Sequence, residues 1–316
     1  MAASPTEAPQ AGEPKGPNHG LRIFFIWLPL TIAADLLIWI VLGPHLPPGS
    51  MTDTAHSQQW DILVLAVLAV PIVAFVLVFA AYALIMWRHR EGDDEDGPPI
   101  HGHTGIQATW ITVTAVIVLF LAAFGTYELA WPGFAGAGAG EGPSAIWTPK
   151  GGTPLQIQVI GQQWRFTYRY PQFGGFETTA LMLPVDQPVQ FNVTSLDVIH
   201  SFWAYQLGVK SDANPGVNNI AFTTAKQTGK FIVRCNELCG LWHGAMVNYG
   251  QVVPMATFRA WAAHTEVQLA PITALLPAYA TVYDPTLIPQ INKAMAKSGI
   301  AGANGYYYPP NDPVQP

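Results

Sequence analysis

The feature that most constrains this chain is an unbroken apolar stretch from Ile62 to Trp87, which contains no charged residue. It exceeds the roughly 20 residues that an α-helix needs to cross the hydrocarbon core of a membrane. Stretches of comparable length, Ile23–Leu42 and Trp110–Ala130, lie on either side and carry one acidic residue each. Only 11% of all residues are charged, against about 25% in soluble domains. We therefore predict N-terminal transmembrane helices at residues 22–43, 60–88 and 110–132.

Residues 22–43 have an alternative interpretation as a signal peptide that would be removed after export. The stretch is long for the apolar core of a signal peptide, and no clean small-x-small cleavage motif follows it. An uncleaved helix is therefore favoured, preceded by an N-terminal tail at residues 1–21.

Positively charged residues near the apolar stretches predict their orientation, because cytoplasmic loops are enriched in Lys and Arg. Lys15 and Arg22 precede the first stretch, Arg88 and Arg90 follow the second, and the loop between the two stretches has neither residue type. The loop at residues 89–109 is therefore predicted to be cytoplasmic. Everything after the third helix is predicted to lie outside, whether or not the first segment is cleaved.

The sequence pattern changes after a Gly- and Ala-rich linker at residues 133–153. From residue 154, apolar and polar residues alternate in short runs such as LQIQVIG, QPVQFNVT and GKFIVRC, which Gly and Pro separate. Several such runs in succession are typical of an all-β Greek-key sandwich or barrel. We predict this domain at residues 154–270, closed by a short helix over ATFRAWAAHTEVQLA, with an extended tail at residues 271–316.

Both cysteines of the chain lie in one short motif, RCNELCGLWHGAM, together with a histidine and a methionine. The soft ligands Cys235, Cys239, His243 and Met246 form a set that suits copper in electron transfer. One cysteine would suffice for a single copper, so the second indicates a second copper, for which His200 is the candidate additional imidazole. A disulfide is the alternative in an oxidising compartment, but it leaves His243 and Met246 unexplained.

The chain resembles subunit II of haem-copper oxidases of the cytochrome c type over roughly residues 62–263. The resemblance rests on HGHTGIQATW, GQQWRFTYRY, DVIHSFWAYQLGVKSDANPG and CNELCGLWHGAM. It implies membrane helices followed by a cupredoxin-like domain. It also implies that the two cysteines bridge two copper ions, with one histidine on each copper and Met246 as a weak axial ligand. The backbone carbonyl of Glu237 would complete the set, which comprises His200, Cys235, Glu237, Cys239, His243 and Met246.

The same resemblance implies further roles and partners. Trp164 would be the point where electrons enter, and the Glu237 side chain, with Asp212 nearby, would hold magnesium or manganese shared with subunit I. Haems and a further copper, copper B, would reside in subunit I, where oxygen is reduced to water with proton pumping. Expected partners are subunits I and III, membrane lipids, and cytochrome c or another small redox protein. The implied location is a bacterial or archaeal-type cell membrane, crossed several times, with the copper domain outside.

Three positions depart from the family pattern. Phe166 stands where a second tryptophan is usual, and Arg169 stands where an acidic residue is common. From Glu128 to the C-terminus, ten acidic and ten basic residues balance, so we expect a donor that is not strongly basic, because steering follows complementary charge. Gln107 replaces a glutamate near the mouth of a proton path, which questions proton uptake by that route.

The sequence also bears on several other functions. The absence of a Cys-x-x-Cys-His motif excludes covalently attached haem c, and retention of every copper ligand argues against a quinol donor. A clustered basic face, which nucleic-acid binding requires, is missing from the sequence. A membrane-anchored copper carrier or copper-delivery module stays open as the alternative function. A copper domain like that of nitrous oxide reductase would share the loop motif but not the membrane helices.

Overall fold

The computed structural model describes residues 17–88, 92, 102–130, 154–276 and 288–297. The linker predicted at 133–153 lies outside these residues, as do residues 1–16 of the N-terminal tail and most of the predicted cytoplasmic loop. Two compact units are formed, Met1–Pro44 with Leu63–Pro99, and His45–Ile62 with Ile100–Pro316.

Three apolar helices precede the β-domain. They are α1 (His19–Leu37), α2 (Asp53–Met86) and α3 (Thr104–Ala130), and a π-helical turn and a 3-10 turn extend α1 to His45. The segments His19–His45, Asp53–Met86 and Thr104–Glu128 are long and apolar enough to cross a membrane. Most of their large apolar side chains are exposed within the chain, as expected for helices that face lipid or other membrane subunits.

Within the first unit, α1 contacts α2 through polar atoms as well as apolar surface. The indole N–H of Trp27 donates to the carbonyl of Pro71 at 2.8 Å, and Nδ1 of His19 is hydrogen-bonded to the hydroxyl of Tyr82 at 2.7 Å. Trp87 packs edge-on against both His19 and Tyr82. These contacts hold the two helices together at two positions along their length, near Trp27 and near His19.

The β-domain is a sandwich of two five-stranded sheets. The first sheet has the order β3-β2-β1-β5-β8 and the second the order β4-β10-β9-β6-β7. Pairs β1–β5 and β4–β10 are parallel, and the other pairs are antiparallel. The strands are β1 (Leu155–Gln162), β2 (Arg165–Arg169), β3 (Glu177–Thr178), β4 (Leu181–Pro184), β5 (Pro188–Ser195), β6 (His200–Ala204), β7 (Val209–Ala213), β8 (Asn219–Thr224), β9 (Gly229–Cys235) and β10 (Val247–Val253).

The alternating sequence pattern explains how the sandwich buries its core. Successive strand residues point to opposite faces of a sheet, so Ile157 and Val159 of β1 point inward together with Phe191 and Val193 of β5, and all four are buried. Phe202 of β6 packs against Phe191 across the sandwich, with ring centroids 5.1 Å apart. The predicted fold class, apolar N-terminal helices followed by an all-β cupredoxin-like domain, is confirmed.

Two helices follow the sandwich. Helix α4 (Met255–Thr273) buries Phe258, Ala262 and Leu269 against the core, and α5 (Ile288–Lys297) follows it. Within the tail expected at residues 271–316, the described residues include two helical parts, the end of α4 at Thr273 and the whole of α5. Buried Ile272 keeps the last turn of α4 packed despite Pro271, and apolar residues at 288, 291, 294 and 295 follow a helical spacing.

Candidate metal centre

The candidate ligands converge because two strand ends and one short loop meet at the same end of the sandwich. Strand β9 ends at Cys235 and β10 begins at Val247, directly after Met246. The backbone N–H of Cys235 donates to the carbonyl of Met246 at 3.0 Å, which closes the loop. Strand β6 pairs with β9 in a register that sets Phe202 opposite Cys235, so His200 at the start of β6 reaches the cysteine sulfur.

The distances between the candidate ligand atoms fit metal coordination. The two Sγ atoms are 3.7 Å apart, Cys235 Sγ lies 3.8 Å from His200 Nδ1, and Cys239 Sγ lies 3.5 Å from His243 Nδ1. Met246 Sδ is 3.9 Å from Cys239 Sγ, and the Glu237 carbonyl oxygen is 3.2 Å from Cys235 Sγ. Ligands about 2.0–2.3 Å from a shared tetrahedral metal lie about 3.3–3.8 Å from one another, so this donor set fits. Both cysteines are free.

Burial and charge at the two thiols favour a cation between them. His200, Cys235, Cys239 and Met246 are all buried, whereas His243 is half-buried. Burial opposes ionisation of Cys235, but hydrogen bonds with His200 and with the backbone at Glu237 and Ser201 outweigh it and lower the pKa of this thiol. Burial and the neighbouring Cys235 raise the pKa of Cys239. One thiolate therefore forms readily, and a bound metal ion would stabilise the second and release its proton.

Asp197 orients His200, and the sequence analysis missed it. One carboxylate oxygen lies 2.9 Å from His200 Nε2 and accepts the Val198 N–H, while the other accepts the Gln163 N–H at 2.7 Å. Burial alone would raise the pKa of Asp197, but these hydrogen bonds lower it. The contact leaves Nδ1 facing Cys235, as a metal ligand requires. The only sequence signal was an acidic residue three positions before the histidine.

Trp164 directly contacts the loop from Cys235 to Met246, which we call the ligand loop. Its indole N–H donates to the Cys239 carbonyl at 3.1 Å, and the Gln163 side-chain amide donates to the same oxygen at 2.8 Å. A Cβ on Gly240 would lie 3.0 Å from Gln163 Nε2 and 3.3 Å from the indole ring, so the close approach depends on glycine. The indole also lines a groove of about 300 Å³, formed by Gln163, Trp164, Arg165, Trp242 and Ala245.

Ser201 connects Asp212 with the ligand loop. Its hydroxyl donates to the Asp212 carboxylate at 2.7 Å, and its carbonyl accepts the N–H of Asn236 at 3.0 Å. Asn236 is followed directly by Glu237, and both Asp212 and Glu237 are exposed. The two acidic residues thus sit on adjoining segments, where carboxylate oxygens could meet a hard cation such as magnesium.

The structure changes the interpretation of Phe166 and Arg169. Phe166 is fully buried and packs edge-on against His200 and Phe202, with ring centroids 6.2 and 5.8 Å apart, so it belongs to the core. Arg169 is 2% exposed, and its guanidinium forms an ion pair with Glu177 at 2.7 Å. Arg169 therefore adds no charge to the outer surface, so this residue gives no support to the expectation of a donor that is not strongly basic.

The sequence is similar to known oxidase subunits. The family model described as cytochrome c oxidase subunit II, periplasmic domain, matches residues 176–253. The cytochrome c oxidase subunit 2 of Thermostichus vulcanus is 30% identical over 285 residues, which cover 75% of this chain and 84% of that protein. That of Synechocystis sp. is 29% identical over 243 residues, covering 66% of this chain and 72% of that protein. The crystal structure of the periplasmic domain of subunit II from Bradyrhizobium japonicum is 32% identical, with a TM-score of 0.36, covering 37% of this chain and 97% of that one.

Proposed function

Because the chain belongs to the cytochrome c oxidase subunit 2 family, we propose that it accepts electrons from an outer-side protein donor at a dinuclear copper centre and passes them to haem in subunit I. Family membership makes it a copper-binding subunit of an oxidoreductase complex with other oxidase subunits and a redox partner. The observation that carries the proposal is the convergence of two free thiols, two imidazoles and a thioether within 3.9 Å of their nearest neighbours.

In the proposed centre, Cys235 and Cys239 would hold two copper ions, and His200 and His243 would bind one each. Met246 would add a weak ligand to one ion, and the Glu237 carbonyl would serve the other. Such a pair of copper ions would supply a one-electron carrier. The protein's part is to keep the ligands fixed: Cys235 is anchored in β9, His200 in β6, and Asp197 orients the His200 imidazole, so little rearrangement accompanies a change of oxidation state.

Electrons enter at Trp164 in this proposal. Its hydrogen bond to the Cys239 carbonyl gives a short path from the surface groove to a copper ligand. Around it, Leu238, Leu241 and Trp242 are 78, 83 and 57% exposed, and such exposed apolar side chains suit a protein contact. Arg165 is the charged residue that lines the groove. These features favour a cytochrome c, or another small redox protein, that is not strongly basic.

Electrons leave toward subunit I, and the Glu237 carboxylate contributes to a magnesium or manganese site shared with that subunit, with Asp212 nearby. The exposed positions of both acids support this assignment. Subunit III completes the expected assembly. Gln107 lies exposed in the first turn of α3, so a proton path that starts there would need its acid from another residue.

The chain crosses a bacterial or archaeal-type cell membrane several times, with the copper domain outside. Retention of the first helix is supported by its contacts with α2, where Trp27 donates to Pro71 and His19 bonds to Tyr82. No described feature favours the copper-carrier or copper-delivery alternative, and the match along 84% of a subunit 2 relative favours the oxidase.

The test is metal analysis and spin resonance of the complex purified from membranes. We expect two coppers per chain and a signal shared equally by two copper nuclei, and co-purification of a haem-bearing subunit with many spans. Cys239→Ser should abolish the shared signal, whereas Ser57→Ala, at a half-buried position of α2 whose hydroxyl donates to the Asp53 carbonyl, should leave it unchanged. One copper per chain, or a disulfide with no copper, would contradict the proposal.

A further inference from the structure

We propose that the turn Tyr205–Leu207 with Gly208 is a positioning contact that fixes the β6–β7 hairpin, and with it the copper centre, against the first turn of α2. The inference rests on the proposed function, because it concerns where the copper centre stands relative to the next electron acceptor. The hairpin carries His200 at one end, and the turn lies at the other.

A single hydroxyl joins the hairpin turn to the helix. Thr52 Oγ1 donates to the Leu207 carbonyl at 2.8 Å and accepts the backbone N–H of Ala55 at 2.9 Å. It therefore caps the N-terminus of α2, which begins at the next residue, while it binds the turn. The side-chain amide of Gln58 donates to the Gly208 carbonyl at 2.8 Å. The carbonyls of Leu207 and Gly208, both buried residues, are thus bound by side chains at the start of α2.

Gly208 allows the backbones to approach this closely. Its φ is +64°, a left-handed conformation that side chains disfavour. A Cβ at this position would lie 2.9 Å from both the Cα and the N of Ala55, which are backbone atoms that cannot rotate away. Ala55 and Leu207 are both fully buried. The glycine is required here for conformation and for packing, two independent reasons.

A second contact holds the same segment at another turn of the sandwich. The Met51 carbonyl accepts the N–H of Lys226 at 2.8 Å, and Thr52 forms a β-bridge with Ala225. Met51 also packs against the apolar core of the sandwich. Because the turns at 205–208 and 225–226 are both held, the segment cannot pivot about either contact alone.

The hairpin transmits position to the metal site. Strands β6 and β7 pair without a break from Ala204↔Val209 beside the turn to His200↔Ala213 at the site. Four residue steps of about 3.4 Å span about 14 Å. At the far end the Ser201 hydroxyl binds Asp212, next to the ligand loop. Because β6 also pairs with β9, which ends at Cys235, a displacement of the turn would shift the metal site as one body, together with Asp212 on β7.

The test compares variants in the assembled oxidase. Gly208→Ala introduces the Cβ clash, and its matched control is Gly175→Ala, because Gly175 also has a positive φ (+76°) but has open space around its Cβ. Thr52→Val removes the shared hydroxyl, whereas Thr52→Ser retains it. Two measurements are made: hydrogen exchange at the Lys226 amide, and the rate at which reduced copper passes its electron to the next acceptor.

We expect Gly208→Ala and Thr52→Val to speed amide exchange at Lys226 and to slow electron transfer out of copper by roughly tenfold, because small misplacements of positioned groups are costly in rate. Copper content, the copper spectrum and reduction of copper by a small soluble reductant should stay unchanged. Gly175→Ala and Thr52→Ser should behave like the wild type. This separates a positioning role from simple destabilisation, which would lower copper content and assembly.

Two outcomes would overturn the proposal. One is amide exchange in Gly208→Ala and Thr52→Val that matches their controls. The other is faster exchange with an unchanged rate of electron transfer. If the wild-type complex itself passes no electron from copper to a partner, the proposed function fails, whereas the exchange measurement still decides whether the contact holds the hairpin. Should Gly208→Ala fail to assemble, Thr52→Val with its serine control carries the test.

Discussion

Replacing Asp197 with Asn should weaken copper binding although no proposed ligand is lost. One carboxylate oxygen contacts His200 Nε2 and the Val198 N–H, and the other accepts the Gln163 N–H. Asparagine has a single acceptor oxygen. If that oxygen stays on His200, the asparagine NH2 group faces the Gln163 N–H, and two donors cannot bond to each other. The hydrogen bond to Gln163 is then lost, and the hydrogen bond to His200 is no longer made by a charged carboxylate.

The geometry sets the size of the effect. Hydrogen bonds to charged groups contribute about 1.5–3 kcal/mol and neutral ones about 0.5–1.5 kcal/mol, so the substitution costs on the order of 1 kcal/mol or more. The Asp197 side chain is 31% exposed, and solvent screening keeps the value at the lower end. We expect about 1.4 kcal/mol, a tenfold loss of copper affinity, at the bottom of the roughly 10- to 100-fold range for residues that orient metal ligands.

The measurement is a competition titration of the purified complex with a chelator of known copper affinity. Asp186→Asn is the matched control, because Asp186 lies on the same domain and forms an exposed ion pair with Lys226 at 3.6 Å. Equal copper affinities for the Asp197 and Asp186 variants would refute the orienting role.

Three further predictions concern other parts of the β-domain. Tyr168→Phe should stabilise the domain by about 1 kcal/mol in chemical denaturation, because the buried hydroxyl has no hydrogen-bond partner among the described residues. Burial and the nearby Tyr170 raise the pKa of Tyr168 in the folded domain, so this phenol ionises more readily in the unfolded chain. The stability of the wild type should therefore fall as pH rises above about 10, and the stability of the Phe variant should fall less. Leu241→Ala should lower the rate of electron uptake from the donor severalfold, with weak salt dependence in stopped-flow measurements. Gly250→Ala should destabilise the domain by about 2–3 kcal/mol in the same denaturation assay, because the new Cβ would lie 2.0 Å from the ring of Phe231.

Sequence patterns predicted those helices and strands that are determined by residues close together in the chain. Length and apolar composition identified the three helices, and alternation identified β1 and β5. The proposed ligand loop was predictable because Cys235, Cys239, His243 and Met246 are close in sequence. The helix at Ile288–Lys297 was missed because Pro and Gly nearby masked its spacing.

Contacts between distant residues could not be predicted from the sequence alone. Arg169 and Glu177 are charged residues that suggest surface positions, yet the pairing of β2 with β3 buries their ion pair. The hydrogen bond from Trp164 to the Cys239 carbonyl depends on how two loops meet. The same holds for Thr52 and Leu207, which nothing in their local sequence relates.

The Thr52 hydroxyl has a consequence for biosynthesis. It lies 155 residues ahead of Leu207 in the chain, so a ribosome synthesises the start of α2 long before the carbonyl that it will bind. The contact forms only after β6 and β7 have been synthesised and the turn between them has folded. Docking of the β-domain onto the first turn of α2 is therefore a late event of folding, and its completion reports that the β6–β7 turn has formed.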